Sequence, residues 1–397
     1  MLGKRKWTSK ILSFAVAVTV AVSSMIAAPR PAVAAEGPDI QAPVALLVDI
    51  KSGQYLYAKG ENDKRFPAST TKIMTMLLTL EAVKSGQKKM TDIVPVPLEA
   101  YNIEGSSVWL DPKEKFTVKE MLEFVAVPSG NDASTALAIF IAGSEQAFVQ
   151  KMNEKAKELG MNATHFANSN GLHHPDHYTT AADLAILARE LITKHPEILE
   201  MTRIKSFEIR GGKNKIENTN LLIGKYEGMD GLKTGFTDEA GYCLVSTAER
   251  GGNRLIGVIL GAKSDLQRQE DTTKLLDYGY KNFSFKKVAE KGKPVAEKAI
   301  VVNAVKPEVE AAPAQDLYVA VKNGEEQAVQ TKYVWHQVEA PFGKGQILGQ
   351  LQQVKDGKVL SSVDLVSTQE VEKGSWLRLF FRKVYASISN SISGLFN

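Results

Sequence analysis

Phe66-Pro67-Ala68-Ser69-Thr70-Thr71-Lys72-Ile73-Met74-Thr75 is the stretch around which the chain is organised. It sets a serine hydroxyl and a lysine amine three residues apart, where an apolar run begins (Ile73, Met74, Met76, Leu77, Leu78, Leu80). The run has helical periodicity, and Pro67 just before it places Ser69 near a helix N-terminus, where the dipole favours developing negative charge. Positions i and i+3 share one helix face, so Lys72 can lie beside the Ser69 oxygen. Serine is a poor nucleophile without an adjacent base. Lysine serves as that base only if burial or a neighbouring cation lowers its pKa. The pattern therefore demands a second cation elsewhere in the chain. The bland reading makes Ser69 a helix cap and Lys72 a solvated residue. Ser85…Lys88 and Ser284…Lys287 repeat the spacing without the setting.

With 397 residues the chain has room for two domains and appendages. At 44% apolar and 24% charged it has ordinary soluble-protein composition. Lys4, Arg5, Lys6 and Lys10 precede an apolar run from Ile11 to Ala28, and Ala32-Val33-Ala34 follows. A basic region, an apolar core and a small-residue site predict a signal peptide over residues 1–34 and an exported protein. Its removal takes the formal charge from +4 to −1, so the basic balance gives no indication of nucleic-acid binding. Cys243, the single cysteine, stands in the apolar run Tyr242–Val245 and reads as a structural, buried residue.

Val44–Asp49 reads as a continuous apolar strand, turned by Lys51-Ser52-Gly53 into a second, Gln54–Tyr57. The Ser69 helix runs to Gly86. Further helices are predicted over 117–127, 133–142, 145–159, 181–192 and 271–283, and strands over 206–209, 242–247 and 254–260. Strands at both ends of a helical block predict an α/β (α+β) domain over 36–283, an antiparallel sheet with a helical insertion. From about Phe285, short β-type runs separated by Gly, Asn and Asp turns predict a small all-β domain over 285–370. Lys355-Asp356-Gly357-Lys358 is a hairpin signal within it.

The last segment, 374–397, places Leu377, Phe380, Phe381, Val384, Ile388, Ile392 and Leu395 on one helical face, with Arg378, Arg382 and Lys383 on the other side. It is too interrupted by charge to span a bilayer. The pattern predicts a helix lying in the membrane interface, against the alternative of packing on its own protein.

Two short patterns complete the constellation. Ser129-Gly130-Asn131 breaks a helical pattern, so short polar side chains can project into a cleft. Lys233-Thr234-Gly235 leads towards the strand at 242–247, where Gly235 would let a substrate backbone approach. Lys233 is a candidate for the required second cation. Lys51-Ser52-Gly53 and Lys84-Ser85-Gly86 share the tripeptide pattern but read as a hairpin turn and a helix end.

Ser-x-x-Lys, Ser-x-Asn and Lys-Thr-Gly in this order resemble the motif set of penicillin-binding proteins and serine β-lactamases. Pro67–Lys72, Ser129–Ala133, Phe166–Leu172 and Asp230–Thr237 are similar to the low-molecular-mass D-alanyl-D-alanine carboxypeptidases. The resemblance implies that Ser69 attacks the carbonyl between two D-alanines of a peptidoglycan stem peptide, with Lys72 taking its proton. Ser129 relays a proton to the leaving group, and Asn131 binds the substrate amide. Lys233 supplies positive potential, Thr234 meets the terminal carboxylate, and Arg268 is a further carboxylate candidate. The N–H groups of Ser69 and Phe236 form an oxyanion hole. It also implies acylation by β-lactams, no metal or organic cofactor, and residence at the outer face of the cytoplasmic membrane through the C-terminal helix. Two other readings remain: a β-lactamase, though Asn168–Leu172 has no glutamate to activate water, and an inactive wall scaffold. His165, His173, His174, Asp176 and His177 crowd one loop, but no His-Glu-x-x-His helix accompanies them.

Overall fold

The computed structural model describes residues 37–393, with the side chains of residue 383 and of residues 386–393 left out. The expected signal peptide, 1–34, lies outside the described residues, as do Leu395 and the side chains of Lys383, Ile388 and Ile392. Five antiparallel strands form the central sheet: β1 (Val44–Asp49), β2 (Tyr55–Lys59), β3 (Met229–Thr237), β4 (Gly241–Arg250) and β5 (Asn253–Ala262). Their order is β2-β1-β5-β4-β3, so the chain enters and leaves by the middle of the sheet and β3 ends it.

Both faces of this sheet are covered, which is why β1 and β5 read as unbroken apolar runs. Leu46, Val48, Ile256 and Val258 face a large helical core, whereas Leu47, Leu255 and Ile259 face a second core. The helical layer contains α1 (Lys72–Lys84), α2 (Val118–Ala126), α3 (Asn131–Ala142), α4 (Glu145–Glu158) and α5 (Ala181–Lys194). The second face is covered by α6 (Asp265–Asn282).

α1 is the centre of the helical layer. Every residue from Lys72 to Leu80 is buried, so these turns have no solvated face. A truncation such as Leu77→Ala would cost about 2–5 kcal/mol. α2 begins with a capping box in which Thr117 and Glu120 satisfy each other's backbone N–H groups. It stops before Pro128, and α3 starts again at Asn131. That break carries Ser129.

Two expectations are refined. Lys233-Thr234-Gly235 does lead into the strand expected at 242–247, β4, but from within a strand of its own, β3, paired with β4 in the register Lys233↔Val245 and Gly235↔Cys243. Two glycines and a lysine mask this strand's propensity. α6 starts six residues earlier than its apolar pattern, capped by the Ser264 side chain on Gln267 N, which brings Arg268 into its first turn.

Beyond α6 the chain becomes β-rich. Strand Phe283–Ala289 pairs with Leu317–Lys322, and Gln330–Trp335, Ile347–Lys355, Lys358–Ser367 and Ala311–Pro313 form a four-stranded sheet over its own core. Asp356 and Gly357, both at positive φ, turn the expected hairpin. The β-rich part is fastened to the catalytic sheet's turn: Gln54 Nε2 donates to Ala320 O at 2.9 Å, and Ala320 N donates to Gln54 Oε1 at 3.2 Å. Trp376–Ser393 is a helix, and no described helix is long and apolar enough to cross a membrane.

Candidate active site

A short 3-10 turn, Ala68–Thr71, delivers Ser69 to the N-terminus of α1. The turn is held in an unusual shape, with Ala68 at φ +47°. Lys72 Nζ has three oxygen partners: Ser69 Oγ at 2.8 Å, Asn131 Oδ1 at 2.7 Å and Asn170 O at 2.6 Å. The last two can only accept. A neutral amine has two N–H groups and one lone pair. With both N–H groups given to Asn131 and Asn170, the lone pair is left for the Ser69 hydroxyl to donate into. The neutral lysine is thus the form that this geometry fits to a proton-accepting role.

The electrostatics favour the same form. Lys72 is fully buried, and burial lowers its pKa well below the ordinary lysine value; the charge of Lys233 lowers it further, against an opposing pull from Asp132. Lys233, also buried, is lowered to about 7, first by burial and then by Arg268. Its Nζ donates to Thr234 O at 3.1 Å. The second cation required by the serine–lysine pair is present.

Ser129 combines two features. It is a non-glycine residue at φ +69°, and its hydroxyl is buried with no hydrogen-bond partner among the described residues. Left-handed strain and an orphaned hydroxyl cluster at functional positions. Ser69, Ser129, Thr234, Gly235, Phe236 and Arg268 line a common cavity of about 350 Å³.

Asn131 is tied directly to the serine–lysine pair. Its Oδ1 holds Lys72, and its Nδ2 donates to Glu104 O at 2.6 Å under a loop whose Gly105 has no room for a Cβ. In this structure it fixes the lysine next to Ser69. Gly235 is needed for a closer reason than substrate access: a Cβ there would lie 3.0 Å from Pro67 O and 3.1 Å from Ser69 N. The backbone of β3 therefore runs in contact with the nucleophile turn. Phe236 is 49% exposed, its ring 4.4 Å from that of Tyr242. Arg268 donates to Cys243 O at 3.2 Å and pairs with Asp265, while its Nε is buried without a partner among the described residues. A carboxylate already beside the guanidinium reduces its pull on a second one.

Several contributors lie outside the three motifs. Asn170 acts through its backbone carbonyl, held by Leu172 N donating to Asn170 Oδ1 at 2.9 Å. The Asx turns of Asn168-Ser169-Asn170 were the available clue. Thr219 Oγ1 lies 2.6 Å from Thr234 Oγ1. Asp132, buried, accepts from Ser107 Oγ at 2.6 Å and from Leu110 N at 3.1 Å, which fixes the loop over Asn131.

The histidine loop is structural. His177 is buried, with Nε2 2.8 Å from Thr71 Oγ1 and Nδ1 accepting from Ala167 N. Burial and the nearby His165 lower it to about 3, so it is neutral. His165 and His174 bond to the backbone of Asp176. Among the described residues no group of three or more His, Cys, Asp or Glu is arranged for a metal ion. Cys243 is buried and its thiol pushed up to about 11, chiefly by burial, as expected of a structural cysteine.

The model of the D-alanyl-D-alanine carboxypeptidase family matches residues 31–264, and that of the penicillin-binding protein 5 C-terminal domain matches residues 283–373. D-alanyl-D-alanine carboxypeptidase DacF of Bacillus subtilis (strain 168) is 39% identical over 347 residues, 86% of this chain and 89% of that protein. DacC of Escherichia coli (strain K12) is 35% identical over 366 residues, 88% of each. Penicillin binding protein 5 from Haemophilus influenzae superposes with a TM-score of 0.78 at 33% identity, over 85% of this chain and 99% of that one. With more than half its length matched by the family and the serine, lysines and cavity in place, the chain belongs to the D-alanyl-D-alanine carboxypeptidases.

Proposed function

We propose that the protein removes the terminal D-alanine from peptidoglycan stem peptides through an acyl-enzyme on Ser69. The observation that carries this is the buried Lys72 amine, held by Asn131 and Asn170 with its remaining valence towards Ser69 Oγ. Lys72 takes the hydroxyl proton as Oγ attacks the carbonyl between the two D-alanines. The oxyanion is received by the N–H groups of Ser69 and Phe236, a donor pair of the kind worth about 100-fold or more in rate. Collapse breaks the C–N bond, and the departing amine takes its proton through Ser129. Water then attacks the ester, releasing the shortened peptide and restoring Ser69. Thr234, supported by Thr219 and the charge of Lys233, meets the terminal carboxylate; Arg268 adds long-range potential. Asn131 positions Lys72. β-lactams enter by the same attack on their ring amide.

The protein is proposed to work outside the cytoplasmic membrane after loss of residues 1–34, with 36–283 as the catalytic domain and 285–370 as a β-rich stalk. The anchor is the segment 374–397, through its helix Trp376–Ser393. Its Trp376 and Phe381 are 77% and 61% exposed, while Arg382 ties its first turns to the carbonyls of Ala304 and Val305.

The test is incubation of the chain from residue 36, and of its Ser69→Ala variant, with a peptide ending in Lys-D-Ala-D-Ala. Release of D-alanine by the first and none by the second is expected. Rapid penicillin destruction without D-alanine release would instead make it a β-lactamase.

A further inference from the structure

A second groove, of about 210 Å³, opens beside the catalytic cavity, and the two share Leu221 as a wall. Lys205, Lys215, Lys225 and Glu217 line it over a floor of Asn218 and Asn220. The floor is fixed from within. Asn218 Nδ2 donates to Thr202 O and Ile204 O at 2.9 and 2.8 Å, Asn220 N donates to Asn218 Oδ1 at 2.8 Å, and Asn220 Nδ2 donates to Gly231 O at 3.2 Å. Those amides are occupied, which leaves the lysines to face a ligand. Glu217 is taken by Lys215 at 2.6 Å. Lys205 and Lys225 form no ion pair among the described residues. Three cations against one carboxylate in a concave wall focus positive potential. Thr219, one residue before Asn220, bonds to Thr234, so one ledge joins the groove floor to the catalytic strand.

We propose that this groove is an anion subsite for the substrate: Lys205 and Lys225 bind a carboxylate of the peptide that lies outside the two residues joined by the scissile bond. The proposal rests on the reaction assigned above and specifies which peptides that reaction prefers. The two spaces adjoin at Leu221, which lines both, and an extended peptide advances roughly 3.3 Å per residue. A carboxylate two or three residues from the bond therefore comes within reach. It has two possible sources: a residue preceding the bond, or a second peptide crosslinked on the amine side.

The test measures binding to the Ser69→Ala protein, which cannot be acylated, by calorimetry at low ionic strength. Two matched pairs of peptides serve as probes. One pair ends in D-Ala-D-Ala and differs by a glutamate or glutamine upstream; the other is branched and differs by a carboxylate or carboxamide on the amine side. In one pair the acid is expected to bind about fivefold more tightly, the order of a favourable exposed ion pair. Lys205→Gln/Lys225→Gln should abolish that difference and leave the amide's affinity unchanged. The pair that responds identifies the source. Equal binding of acid and amide in both pairs, or a preference that survives the substitutions, overturns the proposal. Absence of D-alanine release from the wild type would count against the reaction, while this comparison reads binding alone.

Discussion

Gly171 presses on the turn that carries the nucleophile: a Cβ at Gly171, φ +91°, would stand 2.0 Å from Ala68 O and 2.9 Å from Ser69 N. Ala68 is itself left-handed, so two unusual backbone positions in contact hold Ser69 in place. Gly171→Ala has to displace that turn. Acylation by a fluorescent penicillin is expected to fall roughly 100-fold, the usual consequence of misplacing a reacting group by about 1 Å. Gly143→Ala, at φ +84° with nothing within 4 Å, is the control. It should lose about 1 kcal/mol to backbone strain and keep its acylation rate.

Asn131→Asp puts a carboxylate where Oδ1 now lies 2.7 Å from Lys72 Nζ. A neighbouring anion favours charged lysine, so the Lys72 pKa rises and less neutral base exists at a given pH. The acid limb of the acylation rate should move to higher pH by at least about one unit, with activity recovering in alkaline buffer. An acid limb that stays in place would remove Lys72 as the base.

Lys233 titrates near 7 in the folded protein against an ordinary 10.5. Between those values the unfolded chain binds more protons, so this residue makes native stability rise with pH from about 7 to 10.5, with the full penalty below 7. At about 1.4 kcal/mol per unit the penalty is on the order of several kcal/mol. Lys233→Met relieves it and gives up one hydrogen bond. Calorimetry should show a higher Tm than wild type at pH 7 and a gap that narrows towards pH 10, alongside lost penicillin labelling. A wild type that is the more stable at pH 7 contradicts this.

Phe380→Ser/Phe381→Ser removes two exposed rings from the C-terminal helix. Co-sedimentation with lipid vesicles should be lost, while D-alanine release from a soluble peptide stays unchanged. Retained sedimentation would mean that the helix serves another purpose.

The sequence was readable where side-chain pattern and structure coincide. The apolar β1, the capped α2 and the Asp356-Gly357 hairpin each follow from periodicity or turn chemistry, and Ser69, Lys72 and Lys233 from the chemistry that a serine–lysine pair requires. It was opaque where the backbone or an unusual environment decides. Asn170 works through a carbonyl that every residue possesses. β3 carries Gly231, Lys233 and Gly235, which propensity counts against a strand, and pairing with β4 overrides it. The first turn of α6 is polar because it borders the cavity, so apolar periodicity starts too late to include Arg268. That Asn131 also holds Lys72 was equally hidden, because its side chain is oriented by a backbone group, the Glu104 carbonyl.

The position of β3 at the end of the sheet has a consequence for solubility. A terminal strand presents a row of unpaired peptide groups, a template on which foreign strands can assemble into aggregates. Here several groups of the row are already taken, Asp230 O by Thr202 Oγ1, Gly231 O by Asn220 Nδ2 and Thr234 O by Lys233 Nζ, and Thr234, Gly235 and Phe236 line the catalytic cavity. Side chains that occupy an edge in this way leave a foreign strand fewer groups to pair with. The strand that has to stay open for work thereby resists clumping.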